Sequence, residues 1–185
     1  GSVLKRPLAT SPSTEGVTYQ LVPQNLISVI AANLTKSRAD HSRAHSPLTQ
    51  RAWVFMEDTD RLNFLRDELR DTLRPGISLE GESFEIKSYH SGDDSDRDVP
   101  VSFARREVPE GLSLVAIVDQ KMGEGVDIPA GTEVHLAKTY SLAAGTRSLY
   151  QNLTRAARAN PGKIGFKVFV YSDTTYLSQP AFTEM

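Results

Sequence analysis

The sequence contains no cysteine. Disulfide bonds and cysteine-based zinc sites are therefore excluded, and an intracellular location, in cytoplasm or nucleus, is favoured. The sequence also lacks any apolar run near the roughly 20 residues that cross a bilayer, so we expect no membrane partner. Neither sign of charge dominates, since 21 Lys and Arg side chains stand against 23 Asp and Glu side chains. Without an overall basic field, binding of nucleic acid would depend on a local patch.

The chain of 185 residues is long enough for one domain with a full hydrophobic core. Residues 1–22 mix Ser, Thr, Pro and Gly without periodicity, and we interpret them as a linker or peripheral arm. The leading pair Gly1-Ser2 is typical of cleavage of an affinity tag, which favours an excised domain. We expect the folded domain over residues 23–173 and a tail over residues 174–185.

Apolar periodicity predicts a helix from Pro23 and a second helix from Asp58 or Thr59. The polar residues 35–50 between them are interpreted as a loop. This loop holds His41 and His45, which we expect to be solvated because no third metal ligand accompanies them. The apolar positions of the two helices are Leu26, Ile27, Ile30 and Leu34 in the first and Leu62, Leu65, Leu69 and Leu73 in the second.

Five short apolar segments predict strands, and helical segments alternate with them from residue 51 onward. Of these segments, Leu112–Val118 is nearly continuous in its apolar character, as in parallel sheets that are buried on both faces. Connections of this length imply right-handed crossovers, so we expect an α/β fold with a mostly parallel sheet and helices on both faces. Trp53 is expected in the core. The predicted strands are 51–56, 84–89, 112–118, 133–137 and 163–171.

One predicted helix carries an unusual polar face. Gln151, Arg155 and Arg158 fall within about 40° of one another when the segment is drawn as a helix. Two aligned guanidinium groups suit a site that grips phosphate, because each presents a fixed set of donors and keeps its charge. A solvated helix face would show the same pattern. The neighbouring segments decide between a phosphate-binding site and a solvated helix face.

Polar segments follow two of the predicted strands, namely His90-Ser91-Gly92 and residues 119–129. The acidic turn Asp93-Asp94-Ser95-Asp96 comes directly after the first of them. Ligands of open α/β sheets bind at the carboxyl ends of the strands. We therefore expect these segments to lie along one edge of the sheet, near the polar face of the arginine helix.

Four segments, in this order, resemble those of a known family. Ala52–Phe55, Tyr89–Gly92, Val118–Pro129 and Gln151–Arg158 are similar to motifs of the carboxyl-terminal RecA-like domain of superfamily 2 helicases, the helicase C domain with motifs IV–VI. The resemblance covers roughly residues 24–172. Asp119 and the segment ending in Asp-Ile-Pro are closer to the restriction-enzyme and DNA-repair type than to the DEAD-box type.

The resemblance implies roles for the matching residues. Arg155 and Arg158 would be the arginine fingers that reach the γ-phosphate of ATP, with Gln151 supporting them. The residues on the nucleotide side of the third segment would be Gly125, Asp127 and Glu124. The residues at the nucleic-acid backbone would be His90, Ser91, Gly92, Gly123 and Lys121.

The sequence has neither a phosphate-binding Gly-x-x-x-x-Gly-Lys-Ser/Thr loop nor an Asp-Glu-x-His/Asp box. In the family these belong to an amino-terminal RecA-like domain, which would hold ATP with Mg²⁺ and would be the protein partner of this domain. We expect the domain to act with it as a nucleic-acid-dependent ATPase, on DNA rather than RNA, and to be inactive in isolation. Asn152 and Thr154 depart from the family pattern, so a helicase-derived interaction or regulatory module without turnover stays open.

Overall fold

The computed structural model places seven helices and strands in the part of the chain that it describes. Their order is α1 (Gln24–Arg43), β1 (Arg51–Phe55), α2 (Thr59–Leu73), β2 (Ser83–Tyr89), β3 (Leu112–Val118), β4 (Glu133–Leu136) and β5 (Lys167–Val170). The described residues are 21–44, 49–73, 83–92, 95–96, 99, 108, 111–119, 131–137 and 166–171.

The five strands form one sheet in the order β2-β3-β1-β4-β5. Every pairing is parallel, and β1 lies at the centre, with Phe55 opposite Val118 of β3 and Leu136 of β4. β1 is buried along its whole length, as a central strand covered on both faces must be. The predicted α/β class with a parallel sheet is confirmed.

The two faces of the sheet carry separate apolar clusters because side chains alternate along each strand. α1 and α2 cover one face, where the leucines of α2 and the apolar stripe of α1 pack on Val54 and Ile117. Trp53 and Phe55 point to the other face, where both are fully buried. The core position predicted for Trp53 is therefore confirmed. The helix predicted around Gln151 lies outside the described residues.

The loop predicted for residues 35–50 is wrong over its first half, because α1 continues to Arg43. Arg38 and His41 lie on the buried side of this added turn. Arg38 donates a hydrogen bond to the Gly111 carbonyl at the start of β3, and its guanidinium sits 5.3 Å from the ring centroid of Phe84. Arg38 can occupy a buried helical position because the Gly111 carbonyl and the Phe84 ring receive its guanidinium. His45 lies outside the described residues.

A buried chain of hydrogen bonds joins α1 to β4 and β5. The Asn33 amide donates to the Tyr171 hydroxyl at 3.2 Å, and that hydroxyl lies 2.7 Å from His135 Nδ1. The other ring nitrogen of His135 bonds to Glu133, which accepts a bond of 3.0 Å from the Gln50 amide. Burial raises the pKa of the Tyr171 phenol, so the hydroxyl keeps its proton and can donate to the imidazole.

The Asn33–Tyr171 hydrogen bond and a separate ion pair together define the direction of α1 across the sheet. Asn33, near the middle of the helix, bonds at the carboxyl end of β5, whereas Asp40 pairs with Lys167 at the start of β5. α1 therefore runs antiparallel to the strands. Its last turn lies at the amino-end edge of the sheet, and Ser42 is exposed there. The ion pair with Lys167 is the main reason that the pKa of Asp40 is lowered.

We expect Tyr171→Phe to lower the free energy of unfolding by about 1–3 kcal/mol, because it leaves the half-buried Asn33 amide and the buried His135 Nδ1 without their partner. The measurement is urea denaturation followed by circular dichroism. Tyr89→Phe is the matched control, since Tyr89 is only half-buried and lies outside this hydrogen-bond chain, and it should change stability by less than about 1 kcal/mol. Equal effects of the two substitutions would contradict the stabilising role given to the Tyr171 hydroxyl.

Candidate nucleic-acid interface

The parallel register brings the residues that follow each strand to one edge of the sheet. The amide of Asp119 donates to the Tyr89 carbonyl at 3.3 Å, and the amide of Met56 donates to the Val118 carbonyl at 3.0 Å. His90, which follows β2, and Asp119, which follows β3, are therefore neighbours at the carboxyl-end edge. The sequence prediction that these two segments share an edge is confirmed for the residues that the structure describes.

His90 holds the turn that follows β2. Its side chain is fully buried, and the ring bonds within the chain through both nitrogens. Nε2 lies 3.0 Å from Asn63 Oδ1 on α2, and Nδ1 accepts a hydrogen bond of 2.9 Å from the Gly92 amide. Ser91, which lies between His90 and Gly92, is exposed. His90 is thus placed to shape the turn from inside, while Ser91 and Gly92 form its surface.

The acidic turn reinforces the same corner. Ser95 Oγ accepts a hydrogen bond of 2.7 Å from the His90 amide. Asp96 bonds to Ser88 in both directions, since its carboxylate accepts from the Ser88 amide at 2.9 Å and its own amide donates to the Ser88 carbonyl at 2.8 Å. These contacts occupy outward backbone groups of β2, which is the last described strand on its side of the sheet. Ser95 and Asp96 therefore cap the outer side of β2 beside the candidate interface.

Two arginines of α2 bind the same strand from the helix side. Arg66 Nη1 donates to Ser88 Oγ at 2.8 Å, and Arg70 Nε donates to the Ile86 carbonyl at 3.0 Å. Arg66 also reaches the Oδ1 atom of Asn63 at 3.1 Å. Sequence analysis did not single out Asn63, Arg66 or Arg70, because polar residues between the leucines of an amphipathic helix are typical of a solvated face. The only signal in the sequence was that these three residues lie on α2 outside its apolar stripe.

Of the predicted site residues, the structure describes the three in the turn after β2. Contact with nucleic acid stays a prediction for Ser91 and Gly92. The side chain of His90 is buried, so His90 would affect this contact through the shape of the turn. The remaining predicted residues lie outside the described part of the chain. They are Lys121, Gly123, Glu124, Gly125, Asp127, Gln151, Arg155 and Arg158.

Within the described residues, no group of three or more His, Cys, Asp or Glu side chains is arranged to hold a metal ion. The same part of the chain contains no helix that is both long enough and apolar enough to cross a membrane.

Comparison with known proteins gives matches in structure only. No protein-family model matches the sequence, and no curated protein matches it either. Solved structures do match. The C-terminal part of the Fun30 ATPase domain superposes with a TM-score of 0.55 and 12% identity, over 85% of this chain and 43% of that one.

Two further matches were solved with nucleic acid. The ATP-dependent Type ISP restriction-modification enzyme LlaBIII, bound to DNA, has a TM-score of 0.53 and 14% identity over 80% of this chain and 10% of its own. Domain 2 of the DEAD-box helicase Mss116p, bound to an RNA duplex, has a TM-score of 0.52 and 17% identity over 78% of this chain and 50% of its own.

These matches establish the fold at the level of architecture. The chain has the RecA-like fold found in helicase and ATPase motor domains, and it spans between a tenth and a half of the length of these three chains. A restriction enzyme and a DEAD-box helicase share this fold with it at similar scores. The fold is therefore common to both branches that the sequence motifs distinguish.

Proposed function

We propose that this chain is the second motor domain of a nucleic-acid-dependent ATPase of the superfamily 2 helicase type. The observation that carries the proposal is the turn His90-Ser91-Gly92, which is held by internal hydrogen bonds at the carboxyl-end edge of a RecA-like sheet. A turn fixed in this way presents its backbone without a further ordering cost on binding. The resemblance of the motifs indicates that the ligand of this turn is the phosphate backbone of a nucleic acid.

The nucleic-acid surface would extend from this turn along the edge to the loop after β3. Asp119 begins that loop beside Tyr89, and Lys121 and Gly123 follow it in sequence. Contacts with phosphate and sugar position a protein on the strand without reading its bases, so we expect little sequence preference and a strong dependence on salt. DNA is the proposed ligand because the Asp119 segment is more similar to the restriction and repair type.

The ATP site would form between this domain and an amino-terminal RecA-like domain. Arg155 and Arg158 would stabilise the charge that develops on the transferred phosphoryl group, and Gln151 would support them. Asp127, with Gly125 and Glu124, would face the nucleotide from the loop after β3. Bound ATP with Mg²⁺ would be held mainly by the partner domain and would supply the phosphoryl group.

A second function is favoured by two residues of the arginine segment. Asn152 and Thr154 stand where family members commonly have arginine and glycine, and both flank the proposed fingers. A helicase-derived interaction or regulatory module would keep the sheet and the nucleic-acid edge without turnover. Such a protein would bind single-stranded DNA but would show no ATP hydrolysis that depends on Arg155 or Arg158.

We expect Ser91→Glu to weaken binding of single-stranded DNA about fivefold at low salt, because a carboxylate about 4 Å from a phosphate costs roughly 1 kcal/mol in water. The measurement is fluorescence anisotropy with a labelled oligonucleotide over a series of salt concentrations. Ser42→Glu is the matched control, since it adds the same charge at an exposed serine on the opposite edge of the sheet. If both variants bind as the unchanged chain does, the turn is not the interface.

We expect Arg155→Ala and Arg158→Ala to lower nucleic-acid-stimulated ATP hydrolysis at least 1,000-fold in a chain that includes the amino-terminal RecA-like domain, roughly the contribution of an arginine finger. The measurement is steady-state phosphate release at saturating DNA. Arg43→Ala, at an exposed arginine paired with Asp40, should leave the rate unchanged. Hydrolysis by both finger variants at the parental rate would contradict the assignment.

A further inference from the structure

The turn after β2 is connected to α2 by three hydrogen bonds whose donors and acceptors can be assigned. The first link is Arg66, whose Nη1 lies 3.1 Å from Asn63 Oδ1. A guanidinium can only donate, so the Asn63 atom at this contact must be the carbonyl oxygen. Arg66 itself is held by Ser88 Oγ at 2.8 Å and by Asp67 at 3.0 Å. The orientation of the Asn63 amide is therefore fixed by its helix neighbour.

The second link is the pair of Asn63 and His90. Asn63 Oδ1 lies 3.0 Å from His90 Nε2, and because this oxygen can only accept, Nε2 must carry the proton. The third link confirms the assignment from the opposite side. The Gly92 amide can only donate, and it lies 2.9 Å from Nδ1, so Nδ1 must present its lone pair. Donor-only groups at both ends thus select one tautomer of a fully buried imidazole.

We infer that Asn63 is a positioning residue for the nucleic-acid interface, acting through the tautomer of His90. With Nδ1 as acceptor, the Gly92 amide is turned inward and Ser91 is placed at the exposed tip. With the opposite tautomer, Nδ1–H would face the Gly92 N–H, and the turn would have to open. Asn63 thereby sets the conformation in which Ser91 meets phosphate. This inference rests on the proposed function of the turn.

Asn63→Leu tests the inference, because it removes the acceptor at similar size. In the ¹⁵N-labelled unchanged chain, the imidazole nitrogen shifts of His90 should report the Nε2–H tautomer. In the variant they should report a mixture, and the Gly92 amide should exchange with solvent about fivefold faster, since one hydrogen bond contributes about 1 kcal/mol. Affinity for single-stranded DNA should fall at least about threefold. Should Asn63→Leu fail to fold, Asn63→Ala removes the same acceptor without adding apolar bulk.

Asn33→Leu is the matched control. Asn33 is likewise a half-buried helical asparagine, and its amide donates a hydrogen bond to the Tyr171 hydroxyl at the end of β5. A loss of stability alone would affect both variants alike, whereas only the Asn63 variants should change the His90 tautomer and Gly92 exchange.

Each outcome decides a separate point. A His90 tautomer and Gly92 exchange rate that stay unchanged in the Asn63 variant would overturn the inference. A changed tautomer with unchanged DNA affinity would overturn the link between Asn63 and the interface. If the unchanged chain does not bind DNA, the proposed function fails, and the tautomer and exchange measurements still decide whether Asn63 positions the turn.

Discussion

Parallel pairing of all five strands is the constraint on which the rest of the structure depends. In a parallel sheet every strand ends at the same edge. The segments that follow the strands therefore come together in space although they are far apart in the sequence. His90 and Asp119 meet in this way, although residues 91–118 separate them. At the opposite edge, Arg38 and Asp40 hold the last turns of α1 by bonding to residues at the starts of β3 and β5.

Polar side chains between the helices and the sheet fix the geometry that the apolar core leaves open. Leucine and isoleucine stripes hold the helices on the sheet but specify neither their direction nor the shape of the loops. The bonds of Asn33 to Tyr171 and of Asp40 to Lys167 set the direction of α1. The bonds of Asn63 through His90 set the turn after β2. Each contact selects one arrangement where apolar packing alone would allow more than one.

The sequence predicted the strands, both described helices and the shared edge, because alternation, apolar stripes and strand ends are local signals. It could not predict the strand order, in which β1 is central, since pairing depends on contacts far apart in the chain. It also missed the last turns of α1. Arg38 looks like a solvated residue until its partners Gly111 and Phe84 are known, and nothing local in the sequence marks His41 as buried. For the same reason neither the burial of His90 nor its contact with Asn63 was predicted.

The central claim is that nucleic acid binds at the carboxyl-end edge of the sheet. The most direct test is to titrate the ¹⁵N-labelled chain with single-stranded DNA and follow the backbone amides by NMR. The account predicts that the largest shift changes occur at Ser91, Gly92 and Asp119. Amides at the amino-end edge, such as those of Ser42 and Gly111, should stay unchanged. Changes concentrated at Ser42 and Gly111, or no changes at any concentration, would contradict the claim.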